Sequence, residues 1–246
     1  MTSKKDHPCF QPPADKNIKI WRYMDFTKYV SLLSSKSIFF SRSDLFDDLY
    51  EGATSHANIE LRPAVYKDSA IPEHAFEQMS KFAEWVRQWT FVNCWHMNEH
   101  ESAAMWKLYA QTNEAVAIQS TYQRLINCLP ENIFVGVVHY IDYETQWLPE
   151  GNTMWPFVHK RKSFEHEREL RALIQDLPSN EKGIQTGMPN PESGRVVSID
   201  SESLIEVVHV SPDSPKWFSE LVREITMKYE FGFKVRHSLL AKTPVY

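Results

Sequence analysis

The chain has 246 residues, of which 42% are hydrophobic and 13% aromatic, enough to bury a sizeable core within one domain. Its net charge of -5 argues against a protein that wraps broadly in nucleic acid, because such binding needs many clustered Lys and Arg side chains. The sequence has no apolar run of membrane-spanning length and no signal-peptide pattern. We therefore predict a cytoplasmic protein that does not enter the membrane.

The first part of the chain predicts an arm followed by a compact domain. Residues 1 to 17 are polar, contain proline and show no periodicity, which indicates a loose N-terminal arm. Residues 18 to 23 alternate like a strand, and Asp25 is placed to cap a following helix. Residues 37 to 41 predict a second short strand. We expect residues 18 to 246 to form a single α+β domain, with a central mixed or antiparallel sheet flanked by helices.

The middle of the chain continues this alternation. Apolar residues at helical spacing predict a helix over residues 76 to 89, and the strand-forming residues 89 to 95 follow it. Asn98 is expected to cap a helix that runs to Ala110. Further strands are predicted at 115–120, 133–143, 195–199, 204–210 and 234–237, and further helices at 122–128 and 216–229. Residues 178 to 194 indicate an exposed, hairpin-like loop.

The segment from Phe164 to Ile174 has two interpretations. As a helix it buries one leucine-rich stripe and leaves its charges in water, and its composition suits a helix. As a strand it lines Glu167, Glu169 and Arg171 along one face, so that two carboxylates and a guanidinium would share a cleft. The residues alone leave both interpretations open.

Other residues suit binding of an anionic or aromatic ligand. Arg22 alternates with aromatic neighbours, so its guanidinium lies either on the surface or in a cleft, where it would bind a carboxylate or phosphate by two parallel hydrogen bonds. Residues 160 to 162 form a basic run that begins with Lys160 and suits a dinucleotide, although such runs are usually solvated. Trp106 and Tyr109 belong either to the core or to a surface that stacks on a ring.

The residues from His96 to His100 match the HxxEH pattern of one class of zinc metalloprotease, in which both histidines share a helix. If Asn98 begins the helix, His96 lies outside it and cannot face the same way as His100. We therefore predict no zinc site at these residues and assign no metal ligand from this motif.

Several motifs in order resemble bacterial domain of unknown function family 2971. The family is recognised by an Arg-Tyr pair, an aromatic strand before an Asp-Asp loop, a Trp-containing helix and a Glu-x-Glu-x-Arg segment. The matching residues are 21–24 (WRYM), 39–48 (FFSRSDLFDD), 94–97 (CWHM), 102–109 (SAAMWKLY) and 160–171 (KRKSFEHERELR). The match spans about residues 18 to 240. The family name records that its activity is not established.

The order of an Arg-bearing strand, a helix, a Ser-ending strand and a late Glu-bearing strand is also similar to ADP-ribosyltransferases. In such enzymes a basic residue of the first strand holds NAD, a Ser or aromatic residue of the second contacts its ribose or nicotinamide, and a late glutamate bonds a ribose hydroxyl. The resemblance gives these roles to Arg22, Ser41 and Glu169, with Glu167 as an alternative for the last. Tyr23, Phe40, Trp106, Tyr109, Lys160 and Arg171 complete the binding residues that it implies.

The function that this resemblance implies is transfer of ADP-ribose from NAD, as substrate, to a macromolecular acceptor, either protein or nucleic acid. The setting would be that of a toxin or a phage-defence effector. Two alternatives stay open. One is a non-enzymatic module that binds an anionic ligand or a protein partner through the loop from Asp44 to Glu51 and residues 160 to 171. The other is a metal-dependent hydrolase or nuclease that uses Asp47, Asp48, Glu167 and Glu169.

Overall fold

The computed structural model describes residues 7–72, 74–110 and 112–244. Within these residues the strands are β1 (Lys19–Asp25), β2 (Ser37–Arg42), β3 (Thr90–Met97), β4 (Ala115–Thr121), β5 (Phe134–Val137), β6 (His139–Ile141), β7 (His159–Arg161), β8 (Glu169–Gln175), β9 (Ser179–Asn180), β10 (Gly183–Ile184), β11 (Gly194–Ser198), β12 (Val207–Val210) and β13 (Lys234–His237). The α-helices are α1 (Phe26–Ser35), α2 (His56–Val65), α3 (Ala75–Arg87), α4 (Ala103–Tyr109), α5 (Tyr122–Cys128), α6 (Ser201–Leu204) and α7 (Lys216–Lys228).

The described residues fall into two compact units, each assembled from separate stretches of the chain. The first unit comprises residues 7–12, 39–93 and 131–195, and the second comprises residues 13–38, 94–130 and 196–244. Strand β3 contributes its first half to the first unit and its second half to the second. The prediction of one domain beginning at residue 18 stays a prediction.

The second unit is a mixed sheet with helices packed on it. β1 pairs antiparallel with both β3 and β4, β4 pairs antiparallel with β12, and β12 runs parallel to β13. Helices α1 and α4 pack on β1, and α7 packs on β13. The buried residues of α7 are Phe218, Ser219, Val222 and Thr226, whose spacings of one, three and four keep them on one helix face. The predicted α+β class, with a mixed sheet flanked by helices, is confirmed.

The first unit positions β8. β8 pairs antiparallel with β5, in a register that places Leu170 opposite Val137 and Ala172 opposite Val135. Just after β8, the amide of Asp176 donates to the carbonyl of Trp89, which directly precedes β3. β6 runs parallel to β7, and β9 and β10 form a two-stranded hairpin inside the predicted loop of residues 178 to 194.

Part of the predicted N-terminal arm packs against the first unit. Cys9 and Phe10 are buried, and the Phe10 ring stacks on that of Phe134 with 5.4 Å between centroids. A Cβ added to Gly136 would lie 2.8 Å from the backbone of Phe10, so this glycine is needed for the close approach. The description of a loose arm therefore does not hold for these residues, and residues 1 to 6 lie outside the described part of the chain.

The predicted cap of α4 is wrong. Asn98 continues the line of β3: its amide donates to Lys19 and its carbonyl accepts from the Trp21 indole. The helix begins later, at Ala103, because the hydroxyl of Ser102 accepts the hydrogen bond from the amide of Met105. Within the described residues no helix has the length and apolar character needed to cross a membrane.

Candidate functional site

The strand interpretation holds from Glu169 onward, and Glu169 and Arg171, whose charges the helix interpretation left in water, are buried. Glu167, which the strand interpretation placed on the same strand face, lies instead in a helical turn before the strand. A 3₁₀ helix covers Lys162–Glu167, and β8 begins at Glu169. Between them Arg168 has φ of 42°, a left-handed conformation that ends the helical turn. Because successive strand residues point to opposite faces, Glu169 and Arg171 share a face, and the Nε of Arg171 donates to Glu169 at 2.6 Å.

A buried network of charges surrounds this face of β8. Lys160, at the centre of β7, donates to Glu167 at 2.5 Å and to Glu169 at 2.7 Å. Arg171 holds Glu169 on one side and Glu51 on the other, through two of its nitrogens. Glu169 is 5% exposed and Arg171 is fully buried. The network, which we call the β8 charge cluster, thus consists of Glu51, Lys160, Glu167, Glu169 and Arg171.

The two neighbouring glutamates of the cluster have opposite electrostatic environments. Burial, and then a hydrogen bond shared with Glu169, raise the pKa of Glu167 to about 7. Burial also disfavours the ionised form of Glu169, but the charge of Arg171, the hydrogen bond from Glu167 and the charge of Lys160 outweigh it and hold the pKa of Glu169 well below its usual range. Near neutral pH, Glu169 is therefore a carboxylate while Glu167 lies close to its titration point.

The charge balance of the cluster explains this division. Three carboxyl groups face two cations, so the cluster is neutral when Glu167 holds a proton and carries one excess negative charge when it does not. A buried excess charge is unfavourable, and the proton resides on Glu167 because the charge of Arg171 lowers the pKa of Glu169. Burial likewise raises the pKa of Glu51, although Arg171 opposes the shift.

Uncharged groups complete the surroundings of Glu169. Its backbone amide donates to the hydroxyl of Tyr140 at 2.8 Å, and its carbonyl accepts from the amide of Val138. The ring of Phe164 lies 4.5 Å from the ammonium of Lys160, where it covers that cation. The carboxylate of Glu169 is therefore fixed through its backbone as well as through its ion pairs.

Gly52 allows the loop that carries Glu51 to pack closely against Phe157 beside the β8 charge cluster. It follows Glu51, has φ of 68°, and a Cβ there would lie 2.2 Å from the ring of Phe157, whose carbonyl accepts from Arg171 at 2.8 Å. Gly52→Ala is expected to lower the free energy of unfolding by about 2 to 3 kcal/mol, from backbone strain and steric overlap together. Denaturant unfolding monitored by fluorescence measures the loss.

Gly151→Ala is the matched control for Gly52→Ala. Gly151 also has a positive φ, of 94°, but no atom lies within 4 Å of the position that its Cβ would take. The Gly151→Ala variant should therefore lose only the stability that backbone strain costs, about 1 kcal/mol of unfolding free energy. Equal losses in the two variants would contradict the role assigned to the contact between Gly52 and Phe157.

The other predicted residues of the first unit lie on β2. Phe40 is fully buried and offers no surface to a ligand in this conformation. Ser41 is partly exposed and lies opposite Val92 of β3. The adjacent Arg42 pairs with Asp44 at 2.7 Å and donates to the carbonyl of Glu192. The predicted contacts of Phe40 and Ser41 with a substrate stay predictions.

The predicted residues of the second unit include an aromatic group on β1 and α4. Tyr23 accepts a hydrogen bond from the amide of Ser102 and meets Trp106 edge to face at 5.0 Å, while the Trp106 indole donates to Glu101. Tyr109 is exposed. Arg22 donates to the carbonyl of Cys94 at 3.1 Å, and burial lowers its pKa. The prediction that Arg22 and Glu169 both act on NAD stays a prediction.

Sequence reasoning connected Glu169 with Arg171 but missed the role of Glu51. It placed Glu51 at the end of an acidic loop, without linking it to a cation 120 residues away. The signal available in the sequence was the glycine directly after it, since glycine is common at tight turns. Tyr140 had no signal, because its contact with Glu169 arises from the pairing of distant segments.

The part of the chain that the structure describes contains no group of three or more His, Cys, Asp or Glu side chains placed to hold a metal ion. Asp48, one of the carboxylates considered for such a site, instead pairs with Arg161 at 2.7 Å.

Comparison with known proteins gives weak similarities. No family model matches the chain, so the resemblance to domain of unknown function family 2971 stays a prediction, and no curated protein matches it either. Two similar solved structures are Thermus sp. 2.9 DarT in complex with NAD+ and with carba-NAD+, each 8% identical. The first covers 95% of this chain and 100% of its own with a TM-score of 0.43, and the second covers 91% and 96% with 0.38. With scores this low, the similarity establishes neither a family nor a function.

Proposed function

We propose that this protein is an enzyme of the ADP-ribosyltransferase type, which uses NAD as substrate and transfers ADP-ribose to a macromolecule. The observation that carries the proposal is the carboxylate of Glu169, which is buried, ionised and fixed on β8 by Lys160 and Arg171. Glu169 is accordingly the proposed catalytic residue.

A carboxylate of this kind suits cleavage of the bond between ribose and nicotinamide. As the bond breaks, its electron pair moves to the ring nitrogen of nicotinamide, and positive charge develops at C1′ of the ribose. A carboxylate that is already fixed and ionised stabilises this charge more than it stabilises the ground state, and it needs no reorganisation during the reaction. The pairing with Lys160 and Arg171 keeps Glu169 in that state.

Glu167 is suited to the proton transfer that must follow. The acceptor adds to C1′ through a hydroxyl or amine and must lose a proton. A group whose pKa is about 7 is half ionised near neutral pH, which is the condition that favours a general base. We assign this role to Glu167, and we retain Arg22 and Ser41 as the proposed contacts of NAD.

The acceptor and setting follow from the same proposal. An acceptor that is a protein or a nucleic acid, and a role as a toxin or phage-defence effector in the bacterial cytoplasm, fit an enzyme that modifies macromolecules. Both depend on NAD turnover, which is therefore the first quantity to measure.

An NAD-consumption assay on the wild type and on Glu169→Gln tests the proposal. The wild type should release nicotinamide in the presence of cell extract as a source of acceptors. Glu169→Gln should lower the rate by about a hundredfold, the usual loss when one charge-stabilising group is removed from an active site.

A control variant must distinguish loss of a catalytic carboxylate from the general effect of breaking a buried ion pair. Glu150 provides it, because it is a carboxylate outside the defined cluster that bonds a different arginine, Arg62, at 2.8 Å and also accepts from Tyr66. Glu150→Gln should retain turnover if it folds, as measured by circular dichroism. The proposal is wrong if the wild type neither binds NAD at millimolar concentration nor consumes it, or if both variants lose activity equally while folded.

A second candidate is a non-enzymatic module that binds a protein partner through the loop from Asp44 to Glu51. The observation that favours it is the exposure of three apolar residues there, Leu45, Leu49 and Tyr50, with Leu49 79% exposed. Partner binding that is lost in Leu49→Ser but kept in Glu169→Gln, with no nicotinamide released by the wild type, would favour this candidate over the transferase.

A further inference from the structure

A groove in the second unit lies between α7 and β13, away from the residues used so far. Its volume is about 480 Å³, which falls within the range of small-molecule sites. α7 contributes one wall through Arg223, Thr226 and Met227, and residues 231 to 236 contribute the other. The groove is open to solvent, so a ligand could enter without movement of the chain.

Three cations line this groove: Arg223 from α7, and Lys234 and Arg236 from β13. All three are exposed. Among the described residues, no ion pair or side-chain hydrogen bond engages any of them, whereas Arg42, Arg62 and Arg171 each bond a carboxylate. Lys234 and Arg236 are two residues apart on a strand, so they project from the same face. The donors of these side chains are therefore available to an anion.

The rest of the groove is mostly apolar. Phe231 and Phe233 stack with 5.2 Å between their centroids, and the side chain of Met227 is exposed beside them. The nearby carboxylate of Glu202 is already engaged, because it accepts a hydrogen bond from the amide of Gly232 at 2.6 Å. An apolar base with a cationic rim matches a ligand that carries phosphate on an organic group.

We infer that the groove between α7 and β13 binds a phosphate-bearing ligand, with its diphosphate or phosphate group between Arg223, Lys234 and Arg236. Guanidinium groups suit this task because they donate two parallel hydrogen bonds to phosphate oxygens, and the ammonium of Lys234 adds a further charge. The ligand is either free pyrophosphate or a nucleotide, which share the diphosphate group. All the residues involved belong to the second unit, and the inference does not depend on NAD turnover.

Isothermal titration at low ionic strength with pyrophosphate, ADP and adenosine tests this inference. Pyrophosphate and ADP should both bind, and adenosine, which has no phosphate, should not. Tighter binding of ADP than of pyrophosphate identifies a nucleotide site, and equal binding identifies a site for the diphosphate alone. Binding should weaken as salt is added, because exposed charges are screened.

The double variant Lys234→Gln with Arg236→Gln should weaken binding of pyrophosphate by at least about tenfold, since it removes two of the three charges. Lys228→Gln is the matched control: Lys228 is an exposed cation of α7 that does not line the groove. It should change the affinity by less than about twofold. Glu169→Gln should bind pyrophosphate like the wild type even if the transferase proposal fails. The inference is overturned if the wild type does not bind pyrophosphate, or if the double variant binds it as tightly as the wild type.

Discussion

Arg171→Met should lower the free energy of unfolding by about 3 to 5 kcal/mol, because it leaves two buried carboxylates without their shared cation. Arg171 is fully buried and bonds Glu51, Glu169 and the carbonyl of Phe157. Methionine keeps most of the side-chain length and removes the charge, so the loss reports chiefly on electrostatics and hydrogen bonds. Urea denaturation at neutral pH measures it.

A variant that breaks an exposed ion pair is the control for the stability lost in Arg171→Met. Lys19 lies 3.6 Å from Glu99, with both side chains well exposed, so Lys19→Met should cost at most about 1 kcal/mol. Adding Glu51→Gln to Arg171→Met should recover part of the stability, because it removes one of the two uncompensated carboxylates. If Arg171→Met is no more destabilising than Lys19→Met, the β8 charge cluster does not contribute to stability in the way described.

The regular elements of the second unit were largely predictable from sequence because their local signals agree with their packing. The spacing of apolar residues placed α7 to within one residue at its end, and the strand at residues 234 to 237 is observed with those bounds as β13. One face of α7 is buried and the other exposed, and β13 alternates exposed residues with partly buried ones, which are the patterns that periodicity detects.

The β8 charge cluster departs from that pattern, which is why composition alone favoured a helix there. Sequence patterns assume that charged residues face water, yet Glu169 and Arg171 are as buried as Leu170 and Ala172 on the opposite face. The charges satisfy one another through contacts with Lys160 and with a loop more than a hundred residues away. Pairing with β5 then overrides the helical propensity of the segment.

The error at Asn98 has a different physical origin. Asn98 and Ser102 are both good N-cap residues, and local sequence cannot choose between them. The choice is made by β1, because the amide and carbonyl of Asn98 are used by Lys19 and Trp21. A residue held in this way cannot also begin a helix, so the next suitable residue, Ser102, does so.

The stability of the protein should depend on pH through Glu167. The pKa of Glu167 is raised from 4.5 to about 7 in the folded protein, so the folded state binds more protons than the unfolded state between these values. Stability from this group is therefore greatest at low pH within that window and is lost as pH rises towards 7. The expected loss is about 1 to 3 kcal/mol, the lower end reflecting solvent screening of a partly hydrated group.

Glu169 should contribute with the opposite sign. Its lowered pKa means that the unfolded state takes up its proton first, so its contribution is present above the usual pKa of a glutamate and is lost as pH falls below it. The two contributions therefore change in separate ranges of pH, Glu167 above about 4.5 and Glu169 below it. Burial also lowers the pKa of several histidines, namely His7, His139, His159 and His209. These groups therefore also change stability between about pH 5 and 8, with a sign opposite to that of Glu167. The contribution of Glu167 is therefore measured as the difference between the wild type and a variant that lacks this carboxyl group.

Glu167→Gln removes the titrating group and keeps a similar shape. The unfolding free energy of the variant, measured with urea at several pH values, should fall less steeply with rising pH than that of the wild type, so that the variant gains relative stability towards pH 8. The exposed neighbour Glu165 provides the control, and Glu165→Gln should leave the slope unchanged. If Glu167→Gln shows the slope of the wild type, the proton does not reside on Glu167, and the division of roles between Glu167 and Glu169 is wrong. Because the proposed general base is this same group, turnover of NAD would then have to obtain its base elsewhere.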